Sequence, residues 1–183
     1  MNRTGNYCAF YVDEPFAESN LGPRVVHDFC YYNTLKLWKA NDNSFPFVNS
    51  HDKTYQVRDG SQWETLKSRI HDRLNASKNI ILFLSNITKN SKALREEIEY
   101  GIKSGLPIII VYPELSNEEI VVEGSLSQKV KILLKKLPIL ENNMDKILTL
   151  HIPFVKEKVE KALTNEKFTI NHKIGNNQYF YKN

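Results

Sequence analysis

Apolar residues in this chain cluster in short runs separated by longer stretches of mixed polarity. Four runs stand out: YCAFYV at 7–12, FPFV at 45–48, NIILFLS at 79–85 and LPIIIVYP at 106–113, with ILTLHIPF at 147–154 a weaker fifth. Residues 80–84 and 108–112 are continuously apolar instead of alternating, the pattern of strands buried on both faces. Between the runs the spacing turns helical. Residues 21–40 carry Val25, Phe29, Tyr32, Leu35, Leu37 and Trp38. A helix over 62–75 presents Trp63, Leu66, Ile70 and Leu74 behind a Ser61-to-Glu64 spacing that fits a capping box. Ser91 is placed to cap a third helix that stops at Gly105-Leu106-Pro107. Further helices are expected over 126–137 and 154–164.

Strands alternating with helices predict an α/β fold, a doubly wound sheet of about five parallel strands. This domain is expected to span 1–165. The remainder, 166–183, is a C-terminal extension in which FTINHK and QYFYKN flank Ile174-Gly175-Asn176-Asn177, the pattern of a hairpin on the sheet edge.

Composition narrows the class. A chain of 183 residues, 41% of them apolar, suits one domain with a sizeable core. No apolar run approaches the roughly 18 residues of a membrane span, and the first residues lack the pattern of a secretory signal. Two cysteines, Cys8 and Cys30, make no disulfide framework. Both are expected to be small buried hydrophobes in a reduced, cytoplasmic setting. No histidine stands at metal-ligand spacing around them, so no metal is expected. The net charge of +4 is densest at Lys129, Lys131, Lys135 and Lys136, which fits a solvated helix face. Neither nucleic acid nor a membrane is expected as a partner.

In doubly wound sheets, ligands bind beyond the carboxyl ends of the strands. The loops there are Tyr11-Val12-Asp13-Glu14-Pro15, Asn49-Ser50-His51-Asp52 and Ser85-Asn86-Ile87-Thr88. No GxGxxG, GxxxxGK[ST] or GxSxG sequence accompanies them, which argues against a dinucleotide fingerprint, a P-loop and a hydrolase serine elbow. The helix over 91–105 is more informative. With Leu94, Ile98, Gly101, Ile102 and Gly105 turned inward, Glu97 lies on or beside the buried stripe. Glu96 and Glu99 point away, and Glu99 has Arg95 and Lys103 at pairing distance along the helix. Burial would raise the pKa of Glu97, as at many functional sites. The same position also fits a glutamate ion-paired to a neighbouring helix.

NIILFLSNITKNSKALREEIEYGIKSGLPIIIVYP resembles the core of a TIR domain: third strand, polar loop, helix with the catalytic glutamate, fourth strand. Ser91 and Glu97 keep that family's serine-to-glutamate register, and Ile98 follows as expected. YCAFYV resembles the first-strand motif, and WETLKSRI the helix before the third strand. Ala93 stands where the family has tryptophan, and Ala9 where the first-strand motif has serine. The likeness covers residues 6–155 and is strongest to the bacterial TIR-like proteins of the Thoeris antiphage system, the ThsB type. It implies a flavodoxin-like fold and an enzyme that cleaves NAD⁺ at the nicotinamide–ribose bond. NAD⁺ is then the substrate and no cofactor is needed. The product it implies is a cyclic ADP-ribose isomer that activates a ThsA-type effector. A phage-derived trigger and self-association belong to the same picture.

On that reading Glu97 is the catalytic residue. Phe10 and Tyr11 are candidates to stack on nicotinamide or adenine; Ser50, His51, Ser85 and Asn86 are candidates to hydrogen-bond ribose or phosphate. Each also has a plain structural alternative: a core aromatic at Phe10, a loop histidine at His51, turn residues at Ser85 and Asn86. Two rival functions remain open, a non-catalytic TIR adaptor that docks other TIR domains and a nucleoside deoxyribosyltransferase-like enzyme. A phosphoacceptor built on Asp13 and Glu14 is weaker, because no aspartate ends the third strand.

Overall fold

A computed structural model describes residues 3–12, 27–51 and 63–181. Asp13, Glu14, Val25, Asp52 and the Ser61 cap therefore lie outside the described residues. The elements in chain order are β1 (Gly5–Ala9), α1 (His27–Asn41), α2 (Trp63–Asn75), β2 (Ser77–Phe83), α3 (Lys92–Lys103) and β3 (Ile108–Tyr112). They continue with α4 (Asn117–Ile120), a two-stranded ribbon of β4 (Val121–Val122) and β5 (Ser125–Leu126), α5 (Gln128–Leu134) and α6 (Pro138–Glu141). The chain then forms β6 (Thr149–Pro153), α7 (Lys156–Thr164), a 3-10 turn at Glu166–Phe168 and β7 (Gln178–Phe180).

The main sheet has five strands in the order β1-β2-β3-β6-β7, every neighbouring pair parallel. The expected doubly wound α/β architecture is present. Alternation along the strands divides the core. Tyr7, Ala9, Ile80, Leu82, Ile108 and Ile110 face α2, α3, α5 and α6, whereas Cys8, Ile81, Phe83, Ile109 and Val111 face α1 and α7. Each fully buried Ile or Leu contributes roughly 1.5–3 kcal/mol relative to an exposed one, so the continuously apolar runs hold helices on both faces.

Two expectations about the sheet are corrected. FPFV at 45–48 is not a ladder strand: one parallel bridge, Asn6 to Asn49, forms just past it on the free side of β1. Phe45 and Phe47 are buried, but Pro46 has no N–H to give to a ladder. The C-terminal segment is not a hairpin either. Residues 166–168 form the 3-10 turn, and β7 joins β6 in parallel, becoming the fifth strand. Its anchors lie far away in sequence: Ile170 N–H donates to the Lys78 carbonyl at 2.8 Å and Asn79 Nδ2 to the Phe168 carbonyl at 3.0 Å. A strand recruited by such contacts has no local signal.

Helix α3 follows its sequence closely. The Ser91 hydroxyl accepts the Leu94 N–H at 3.3 Å. At the other end Leu106 N–H reaches the Gly101 carbonyl and Gly105 N–H the Ile102 carbonyl, while Gly105 takes φ +68°. This paired closure is the reason for a glycine there. Gly101 serves a different need, because a Cβ would collide with Cδ1 of Ile80 on β2. Gly101→Val is expected to destabilise the fold by about 1–3 kcal/mol, read as a lowered urea midpoint; an unchanged midpoint would show that α3 does not seat on β2 this closely.

Smaller corrections concern exposure. Leu37 is 59% exposed instead of inward, and Cys30 is exposed. The lysine-rich stretch is solvated as expected, with Lys129 paired to Glu119 at 2.6 Å and Lys136 donating to the Asn86 carbonyl at 2.7 Å. No helix among the described residues is long and apolar enough to cross a membrane.

Candidate active site

Glu97 projects from α3 toward β1. Its Oε1 accepts a hydrogen bond of 2.8 Å from the Tyr7 hydroxyl, and its Oε2 is buried with no hydrogen-bond partner. Tyr7 itself is 1% exposed. A lone buried carboxylate is unfavourable because water no longer solvates its charge. Burial therefore pushes the Glu97 pKa up to about 8, against the smaller opposing pulls of the Tyr7 hydroxyl and the Arg73 guanidinium. The other two glutamates of the helix have side-chain partners. Glu99 pairs with Lys103 at 2.7 Å as expected. Glu96 does not simply point away: it binds His71 at 2.8 Å and Lys67 at 3.4 Å, tying α3 to α2. The ion pair to a neighbouring helix thus belongs to Glu96, which leaves Glu97 as the unsatisfied acid.

His51 stands beside Tyr7. Its ring centroid is 4.6 Å from that of Tyr7, and its Nε2 lies 3.2 Å from the Cys8 N–H and 3.1 Å from the Cys8 carbonyl. The imidazole takes the place of a ladder partner where the 45–49 segment has left the edge of β1. Burial, reinforced by Arg73 and Lys36, drives its pKa down to about 4. His51 is accordingly neutral at physiological pH.

The remaining sequence candidates are spread out. Ser50 touches Ser77 through its hydroxyl at 2.6 Å, and Ser77 in turn donates to the Arg73 carbonyl at 2.7 Å. The single proton of Ser77 is used there, so Ser50 is the donor of the pair. Phe10 stacks on Tyr32 with centroids 5.5 Å apart and tilts against Phe29 at 5.9 Å. Tyr11 is buried on the face toward α2 and α3, with the Lys89 ammonium 5.7 Å from its ring. Ser85 is buried and donates to Asp28 at 2.7 Å, an acid that also receives the Thr88 hydroxyl at 3.1 Å. Asn86 is exposed, with its N–H on Glu114 at 2.9 Å. His51 is thus the one candidate brought to the Tyr7–Glu97 pair through a ring contact, with Ser50 next to it in the chain. Ser85 and Asn86 are engaged elsewhere.

Sequence reasoning missed Tyr7 and Arg73. Tyr7 carried one usable signal, a hydroxyl in a strand buried on both faces, which must find a polar partner. Arg73 carried none, since its charge reaches Glu97, Tyr7 and His51 only through the packing of α2 beside β1. Tyr7→Phe would remove the one hydrogen bond that the described residues give the Glu97 carboxyl. It is expected to raise the Glu97 pKa beyond about 8, seen as an alkaline shift of the glutamate carboxyl resonance in a ¹³C NMR titration.

Among the described residues no cluster of three or more His, Cys, Asp or Glu is arranged to hold a metal ion. The arrangement is that of one desolvated carboxyl with a phenolic donor, a neutral imidazole and a nearby guanidinium. Such a carboxyl can stabilise a developing cation strongly, because no water competes with it. Residues 7–118 match the family described as Thoeris protein ThsB, TIR-like domain, and that stretch contains Tyr7 on β1, all of α3 and every residue of the site described above. The chain belongs to the TIR-like domain family of the Thoeris protein ThsB.

Proposed function

We propose that this protein is a TIR enzyme of antiphage defence that cleaves NAD⁺ at the nicotinamide–ribose bond, with Glu97 as the catalytic carboxylate. The observation carrying this reading is the Glu97 carboxyl, buried against Tyr7 with Oε2 unpartnered. A residue serving only to dock another protein has no reason to hold an acid in this costly state. Family membership points to antiphage defence, and to action alongside a ThsA effector.

The chemistry needs little else. When the C1′–N bond breaks, its electron pair leaves with nicotinamide, which becomes neutral and so requires no strong acid. The positive charge passes to the ribose as an oxocarbenium ion, which ionised Glu97 faces. The Tyr7 O–H holds Oε1 and favours the ionised form, and the cationic nicotinamidium of bound NAD⁺ lowers the carboxyl pKa further. A hydroxyl or ring nitrogen of the same nucleotide then forms the new bond to C1′. With a hydroxyl a proton is lost, and the product is a cyclic ADP-ribose isomer; water in its place gives ADP-ribose. Keeping water out favours the cyclic product. That product would serve as the diffusible signal to the effector.

The test is nicotinamide release from NAD⁺ in extract of phage-infected cells carrying the wild-type chain or Glu97→Gln, with mass spectrometry of the nucleotide products. Equal release by both proteins would sink the assignment. Self-association with no turnover in either would favour a docking adaptor.

A further inference from the structure

A second polar feature lies at the end of α2. A cleft of about 410 Å³ is lined by Thr4, Gly5, Ser50, Arg69, Asp72 and Arg73 among others. This volume is within the range usual for small-molecule sites. Two arginines against one aspartate leave the lining positive. Nη1 of Arg69 is buried and makes no hydrogen bond. Among the described residues neither Arg69 nor Arg73 forms a salt bridge. Leaving a buried charged donor unsatisfied costs at least about 1–3 kcal/mol, so the arrangement calls for an acceptor that the described residues do not supply.

The neighbouring groups do not supply one. The Ser50 hydroxyl is committed to Ser77, and the Arg73 carbonyl to Ser77 and the Ala76 N–H. A Cβ at Gly5 would collide with the Ser50 hydroxyl, so glycine keeps the cleft wall close. A contrasting cleft, lined by Glu114, Glu119, Lys129 and Asn86, has its charges matched internally: Glu119 with Lys129 at 2.6 Å, Glu114 with the Asn86 N–H at 2.9 Å. Of these two clefts, the arginine cleft presents unmatched charge.

We infer that Arg69 and Arg73 form a binding site for the diphosphate group of a nucleotide. Guanidinium forks match phosphate oxygens in geometry as well as charge. The inference deepens the proposed function, because Arg73 also acts electrostatically on Glu97 and His51 and so links the cleft to the candidate catalytic carboxyl.

Calorimetric titration of the full-length Glu97→Gln protein, which binds without turnover, tests it with inorganic pyrophosphate, ADP, ADP-ribose and adenosine. ADP and ADP-ribose should bind at least tenfold more tightly than adenosine. Added Arg69→Gln or Arg73→Gln should each weaken ADP-ribose at least tenfold without lowering the thermal midpoint. Arg69→Lys, which keeps charge but loses the fork, should fall between. Affinities unchanged in both glutamine variants would overturn the inference, as would adenosine binding as well as ADP. A preference for pyrophosphate alone that ignores both substitutions overturns it too, marking general surface charge. Arginine-dependent ADP-ribose binding in a protein whose wild type releases no nicotinamide would uphold the site and reject the NAD⁺ cleavage reading.

Discussion

Glu97→Gln is expected to lower nicotinamide release from NAD⁺ by at least about 100-fold while leaving the fold intact. Removing one preorganised electrostatic group from a desolvated site typically costs that much or more. The substitution is nearly isosteric: the amide oxygen still accepts the Tyr7 hydroxyl, and only the capacity for negative charge is lost. In the free protein the carboxyl titrates at about 8, so wild-type kcat/KM should rise with pH toward that value before levelling. A pH-independent rate between pH 6 and about 8 would count against an ionised Glu97 as the working form, even if the variant were inactive.

The second large effect concerns stability and does not depend on turnover. Glu97 has its pKa raised from 4.5 to about 8, so the native state binds the proton more tightly than the unfolded chain. Stability is then greatest below about pH 4.5, as far as this group is concerned, and declines as pH rises toward 8. The total is on the order of a few kcal/mol. Glu97→Gln cannot titrate and should show no such decline. At low pH the two compare closely, since the protonated carboxyl and the amide each place a donor where Oε2 has no hydrogen-bond partner. Thermal melts should therefore diverge with pH: wild type and variant close near pH 5, the variant the more stable near pH 8. Parallel curves would show that Glu97 is solvated and ionised throughout.

Much of this molecule is local in origin, and that part is legible in the chain itself. Buried strands read as continuous apolar runs, α3 announced its Ser91 cap and its Gly105 stop, and helical spacing separated Glu97 from Glu99. These features depend on residues within one or two turns of each other. The family register of Ser91 and Glu97 added a role that spacing alone does not contain.

What the sequence hid was set by contacts between distant segments. FPFV has the composition of a strand, but Pro46 has no N–H for a ladder, and one bridge forms just past the run, at Asn49. Residues 178–180 looked like half of a hairpin and instead extended the sheet, because anchors at Lys78 and Asn79 carry the tail past its own turn. The surroundings of Glu97 follow the same logic. Tyr7 lies 90 residues away, and Arg73 reaches the acid only by the packing of α2. Periodicity along the chain determined which glutamate faces inward. Only the tertiary structure decided that it would be buried, which donor it would meet and how far its proton affinity would rise, since desolvation is a property of all the atoms that exclude water and not of one helix.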